Sequence, residues 1–127
     1  MRRALMEDMN AIEAAIIEYG LKSPAAQMRH HSYYKSMAYV RRAILACNAF
    51  LVNGYLVLVE TDTPWWSDSV FLFEELILKV YTIEGQNVEN AIRALDTIAA
   101  ARSASGIVSG DTQIGYMVSK YEAAGFV

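Results

Sequence analysis

The side chains able to do chemistry lie at separate places in this chain. Glu74 and Glu75 are adjacent carboxylates inside an apolar run from Val70 to Tyr81. A carboxylate in a cleft can take a proton from a nucleophile, directly or through water. Consecutive strand residues point to opposite faces, so at most one of the pair faces a cleft. The other reading of either is a solvated strand-end carboxylate. His30 and His31 have no acidic or cysteine partner at ligand spacing, so no metal site is expected. They share a stretch with Arg29, Lys35, Arg41 and Arg42, interleaved with Tyr33, Tyr34 and Tyr39. That pattern reads as a solvated helix face over packed aromatics, or as a surface for an acidic acceptor or a phosphate. Tyr34, His30 and His31 are candidates to line an acceptor site. Cys47 has apolar neighbours and reads as a buried thiol rather than a nucleophile. As the sole cysteine it excludes an internal disulfide and fits a reducing compartment.

The chain that must position these groups has 127 residues, the size of one ordinary domain. Hydrophobic residues make up 54% and charged residues 20%, which places it among globular rather than disordered chains. The net charge of −3 argues against a general nucleic-acid binder, which needs clustered cations to neutralise phosphate. Met1–Asn10 turns acidic at Glu7 and Asp8, so no secretory leader is read there. The apolar segment Ala43–Val59 is interrupted by Asn48, Asn53 and Gly54 and is short for a membrane span. Asn-Gly between two apolar runs signals a hairpin, because both residues tolerate the positive φ of a type I′ turn.

The elements follow from periodicity and punctuation. Arg2–Met6 is a short strand candidate, and Asp8 can cap the helix that follows. Met9, Ile12, Ile16 and Tyr19 recur at helical spacing up to a stop at Gly20. Ser23 and Pro24 start a second helix reaching about Leu45, with a break near Tyr33 or Ser36. Hairpin strands are expected near Ala46–Val52 and Tyr55–Glu60, then a polar loop from Thr61 to Ser69 carrying Pro64, Trp65 and Trp66. Val70–Tyr81 reads as a strand crossing the centre of a sheet. Asn87–Ala104 is a helix by period and ends at Gly106, Ile107–Ser109 is a short strand, and Ile114–Tyr121 lies on a last helix that Gly125 stops. The order is β-α-α-β-β-β-α-β-α. The strand–helix–strand crossover from Val70 to Ser109 implies a parallel pair and the hairpin an antiparallel one, so a mixed α/β sheet is expected.

At three places the residues resemble the GNAT (GCN5-related N-acetyltransferase) superfamily. Arg3-Ala4-Leu5-Met6-Glu7-Asp8 followed by Ile12 resembles its opening strand and helix. Gln86-Asn87-Val88-Glu89-Asn90-Ala91 stands where the family has Gln/Arg-x-x-Gly-x-Gly/Ala. Lys120-Tyr121-Glu122-Ala123-Ala124-Gly125-Phe126 resembles its closing Tyr-Glu-x-x-Gly-Phe signature. Pro64-Trp65-Trp66 ahead of Glu74-Glu75-Leu76 is similar to small GNAT-like proteins of bacteriophages.

The resemblance implies a central mixed twisted sheet with helices on both faces, and acetyl transfer from acetyl-CoA to an amine of a small molecule or protein. Backbone N–H groups of Gln86, Asn87, Val88, Glu89, Asn90 and Ala91 would hold the pyrophosphate at a helix N-terminus. A backbone N–H near Leu76, Ile77 and Leu78 would polarise the thioester carbonyl. Tyr121 would protonate the departing thiolate, and Glu74 or Glu75 would take the amine's proton. The bland reading of Tyr121 is an amphipathic tyrosine at a helix end. The location implied is cytoplasmic, or the host cytoplasm or the virion for a phage protein. Three departures stand out. Glu89 puts a carboxylate where the family has glycine, a repulsion of about 1 kcal/mol or more unless it turns outward. Ile114 replaces an asparagine that contacts CoA. The sequence stops at Val127, short of the family's closing strands, so a protein partner, a second copy or a further tail of the chain is expected on the open edge. A catalytically degenerate GNAT-like phage module, acting by protein interaction with Trp65–Trp66 as its anchor or as a virion component, is the competing reading. A third is an α/β structural protein of other ancestry.

Overall fold

The structure is a computed structural model that describes residues 1–22, 32–109 and 125. Five strands form one sheet in sequence order: β1 (Arg2–Arg3), β2 (Ala49–Val52), β3 (Tyr55–Asp62), β4 (Phe71–Lys79) and β5 (Ile107–Ser109). The first three junctions are antiparallel, and β4 with β5 is parallel. The mixed sheet and its crossover therefore match the expectation. The hairpin also forms as expected: Val52 pairs with Tyr55, and Asn53 and Gly54 take φ of 52° and 82°, the left-handed pair a type I′ turn demands.

Helices cover both faces. Helices α1 (Met9–Lys22) and α2 (Tyr33–Leu45) lie on one, where Ile12, Ile16, Met37 and Val40 pack with Leu51, Leu56 and Leu58. Helix α3 (Val88–Ala101) covers the other, where Ala91, Leu95 and Ile98 pack with Val52, Val57, Val59 and Leu72. Strand β3 alternates between these cores and has four successive residues, Leu56 to Val59, at 2% exposure or less. This makes β3 the doubly covered central strand; the expectation had placed β4 there. Among the described residues β4 lies one strand further out and is mostly half-buried.

Several local expectations are corrected. Strand β1 ends at Arg3, and Met6–Asp8 forms a 3₁₀ turn. Asp8 caps backwards rather than forwards: its carboxylate accepts from the Leu5 N–H at 2.8 Å. It also takes both terminal nitrogens of Arg2 at 2.9 and 2.8 Å and the Tyr81 hydroxyl at 2.8 Å. At 3% exposure this carboxylate ties the chain's start to the segment after β4. Helix α1 runs through Gly20 to Lys22. Helix α2 starts at Ser32, whose hydroxyl accepts from the Lys35 N–H; this is the break expected near Tyr33, whereas Ser23 and Pro24 lie outside the described residues.

Two helices end without glycine. Cys47 (φ 60°) follows α2 and Ser103 (φ 54°) follows α3. In each case paired back-bonds close the helix: Asn48 to Ala43 with Cys47 to Ile44, and Ala104 to Ala99 with Ser103 to Ala100. These are Schellman closures with a non-glycine in the left-handed position. Cys47 is accordingly half-buried rather than buried. Gly106 serves packing instead, since a Cβ there would meet the Phe71 ring at 2.8 Å. Among the described residues no helix is long and apolar enough to cross a membrane.

Candidate active site

The local geometry of β4 brings one of the two carboxylates to a groove. Its register with β3 runs regularly until Leu58, which faces Leu76, whereas Val59 faces Glu74. Glu75 is therefore the extra residue of a β-bulge. A bulge interrupts the period of two and redirects side chains. The core membership follows this shift. Leu72 packs with α3, but Leu76 and Leu78 pack with α1 and α2, and Ile77 returns to α3. An unbroken strand would have put Leu76 on Leu72's face. Glu75 and Leu76 consequently share the α1–α2 side, where they line a groove of about 690 Å³. Glu74 is half-buried on the same parity as Leu72, paired across the sheet with Val59 and Ser109.

The groove has an apolar wall from Ile16, Val40, Leu58 and Leu76. Helix α2 contributes Lys35, Tyr39 and Arg42, which stand four and three residues apart and so share one helical face. Tyr39 and Arg42 also line an adjoining hollow of about 290 Å³ that contains Glu60. Desolvation against this surface, and then the neighbouring Glu60 charge, raise the Glu75 carboxyl above the ordinary carboxylate value. Burial, followed by Glu75 and Glu60, likewise raises the Tyr39 phenol. Neither Glu75 nor Glu60 forms an ion pair among the described residues.

Among the described residues β4 has no outer partner beyond the bulge. Pairing with β5 spans Leu72 to Glu74 against Ile107 to Ser109. Among the described residues Glu75 to Lys79, including Leu76, Ile77 and Leu78, pair only with β3. The Ser109 hydroxyl, where this pairing stops, is buried with no hydrogen-bond partner among the described residues.

The start of α3 is already occupied. Asn53 Oδ1, from the hairpin turn, accepts from the Asn87 N–H at 2.6 Å and from Asn90 Nδ2 at 3.3 Å. Asn87 is the N-cap: its Oδ1 accepts from the Glu89 N–H at 2.9 Å, and its carbonyl from the Asn90 N–H at 3.1 Å. Gln86 Nε2 donates to the carbonyls of Asn53 and Tyr81 at 3.1 and 2.7 Å. Val88 and Ala91 are in the core at 5% and 0% exposure. The amides expected to meet a pyrophosphate are thus engaged, at Asn87, Glu89 and Asn90, by the chain's own oxygens.

Of the remaining expected residues, Tyr121, Ile114, His30 and His31 lie outside the described residues. Tyr34 is 84% exposed and rests edge-on against Tyr33, away from the groove lining. Sequence reasoning did not single out Asn53, Glu60 or Ser109 for the site. Lys35, Tyr39 and Arg42 belong to the stretch read as a solvated face or a surface for an acidic acceptor or a phosphate; their helical spacing was the available signal.

No known family profile matches this chain, and no curated protein sequence matches it. Solved structures do resemble it. A crystal structure described as a probable acetyltransferase superposes with a TM-score of 0.64 at 11% identity, covering 98% of this chain and 87% of its own. A wild-type protein of Thermus thermophilus gives a TM-score of 0.65 at 14% identity, covering 99% of this chain and 87% of its own. At these identities the likeness is one of architecture: a mixed sheet with α1 and α2 on one face and α3 on the other.

Proposed function

We propose that this chain is an N-acyltransferase of the GNAT type, acting on a primary amine that enters through the groove between α2 and β4. The observation that supports this reading is the bulge at Glu75. It sets a carboxylate into the groove on the strand that, among the described residues, has no outer partner beyond Glu74. A bulge also leaves its extra residue out of the ladder, so the main-chain N–H at Glu75 can donate to a carbonyl oxygen as it gains charge. Glu75, with its raised proton affinity, accepts the proton of the acceptor's ammonium. The freed amine attacks the acyl carbon, the thioester C–S bond breaks, and Tyr121, by the resemblance, returns a proton to the thiolate.

Acetyl-CoA would supply the acyl group as an activated thioester, with its pyrophosphate at Gln86–Ala91. The Asn90 N–H is held by the Asn87 carbonyl, whereas the Asn87 and Glu89 N–H groups are guarded by the Asn53 and Asn87 side chains. Side-chain rotation opens them, at the loss of hydrogen bonds of about 1 kcal/mol each. This guard also favours a second reading, a GNAT-fold protein that no longer takes the acyl donor and acts through other contacts.

Titration calorimetry with acetyl-CoA, followed by thiol release with an amine panel, separates the two. Saturable donor binding with turnover supports acyl transfer. No heat at millimolar donor supports the second reading. In a working enzyme Glu75→Gln should lower kcat/KM about 100-fold with little loss of donor affinity. The wild-type rate should rise with pH through a value above the ordinary carboxylate range, because Glu75 must first be ionised.

A further inference from the structure

We propose that the groove between α2 and β4 is built for a small amphoteric amine: an α-amino acid with an apolar side chain, its ammonium on Glu75, its carboxylate toward Arg42 and its side chain on the Ile16–Leu58–Leu76 wall. This deepens the acyl-transfer reading by naming the acceptor class, but the binding it describes does not require an acyl donor.

Charge complementarity carries the inference. Among the described residues three charged side chains line this groove: Glu75 from β4, and Lys35 and Arg42 from α2. Glu60 adds a second carboxylate in the hollow next to it. None of the four forms a salt bridge or side-chain hydrogen bond among the described residues. Lys35, Tyr39 and Arg42 span about 10 Å along one face of α2, at 1.5 Å per residue. Tyr39, between the two cations in sequence, senses Glu75, Glu60 and Arg42 together. The groove thus offers cations from α2 and a carboxylate from β4 beside an apolar wall. A simple amine would answer only the carboxylates, and a simple acid only Lys35 and Arg42. An amino acid answers both and buries its side chain between them. The raised proton affinity of Glu75 agrees with a carboxylate that has no cation of its own.

The test uses three ligands of one skeleton: phenylalanine, phenethylamine without the carboxylate, and 3-phenylpropanoate without the amine. Binding is read by calorimetry or NMR shifts on the full chain, with no acyl donor present. Phenylalanine is expected to bind at least ten-fold more tightly than either half. Glu75→Gln should erase its advantage over 3-phenylpropanoate, and Arg42→Gln its advantage over phenethylamine. Both side chains are exposed, so these variants keep the fold; unchanged urea midpoints check this. Equal binding of phenylalanine and phenethylamine, or no saturable binding of any of the three, overturns the proposal. Phenylalanine binding without acetyl transfer would uphold the groove and refute acyl transfer. Transfer to amines with no preference for a carboxylate would refute the groove assignment and leave acyl transfer standing.

Discussion

Asn53→Gly tests the state of the α3 N-terminus with two readouts that should move in opposite directions. The substitution keeps the turn, because glycine accepts the φ of 52° without strain. It removes Oδ1, which holds the Asn87 N–H at 2.6 Å and Asn90 Nδ2 at 3.3 Å. The shorter contact is a sound hydrogen bond and the longer one marginal. Their loss is worth about 1 kcal/mol, and glycine's extra freedom in the unfolded chain adds about 0.5 kcal/mol. Relief of the left-handed conformation offsets part of this, leaving a net destabilisation of about 1 kcal/mol. The same bonds must break before a pyrophosphate can sit on these amides. Their removal in advance should therefore tighten acetyl-CoA by about five-fold, the equivalent of 1 kcal/mol. Asn53→Asp is the control: it keeps the acceptor, adds a negative charge, and should hold stability while weakening the donor. Urea unfolding and titration calorimetry read both quantities. A destabilised Asn53→Gly with unchanged donor affinity would show that the donor does not seat at α3. Unchanged stability would refute the capping argument itself.

Other consequences are more local. Asp8→Asn should cost about 2–3 kcal/mol, the lower end for a broken buried ion pair, since the Arg2 side chain is 52% exposed. The bond from Arg2 chiefly, with those from Leu5 and Tyr81, holds the Asp8 carboxyl well below the usual carboxylate range. A depressed carboxyl stabilises the fold above its unfolded value of about 4. The wild type should therefore lose this stability progressively as pH falls below 4, and Asp8→Asn should not; urea midpoints at pH 7 and pH 3 compare them. Gly54→Ala should cost about 2 kcal/mol or more by thermal unfolding, because φ is +82° and the new Cβ would lie 2.5 Å from both the Tyr81 carbonyl and Gln86 Nε2. Ser103→Gly should raise stability by about 0.5–1 kcal/mol in urea, by relieving the left-handed position after α3.

Much of the architecture was legible from local pattern alone. The Asn53-Gly54 turn, β5 at Ile107–Ser109, the start of α3 after Asn87 and the parallel crossover all follow from residues within a few positions of each other. Turn chemistry, capping and periodicity act over one or two turns of chain, so they are written in sequence. The helix stops were misread where glycine was assumed to be needed. Gly20 lies inside α1, while Cys47 and Ser103 adopt the left-handed position because the back-bonds of each helix end outweigh the strain.

The candidate site was legible in residue type but not in assembly. Glu74 and Glu75 were indistinguishable in sequence, since strict alternation sends one to each face without saying which. The bulge at Glu75 decides, and a bulge exists only where two strands are already in register. The guard on α3 is also tertiary: Asn53 stands 34 residues before Asn87 and meets it only because the β2–β3 turn folds onto the loop after β4. Lys35, Tyr39 and Arg42 carried a helical spacing from the start, but only the packing of α1 and α2 on the sheet gave that face a groove that also holds a carboxylate. Short-range patterns of polarity and turn residues were enough to set the elements and their order. Long-range contacts, which no local pattern encodes, chose the side chains that meet at the groove and occupied the helix start that the pattern had left open.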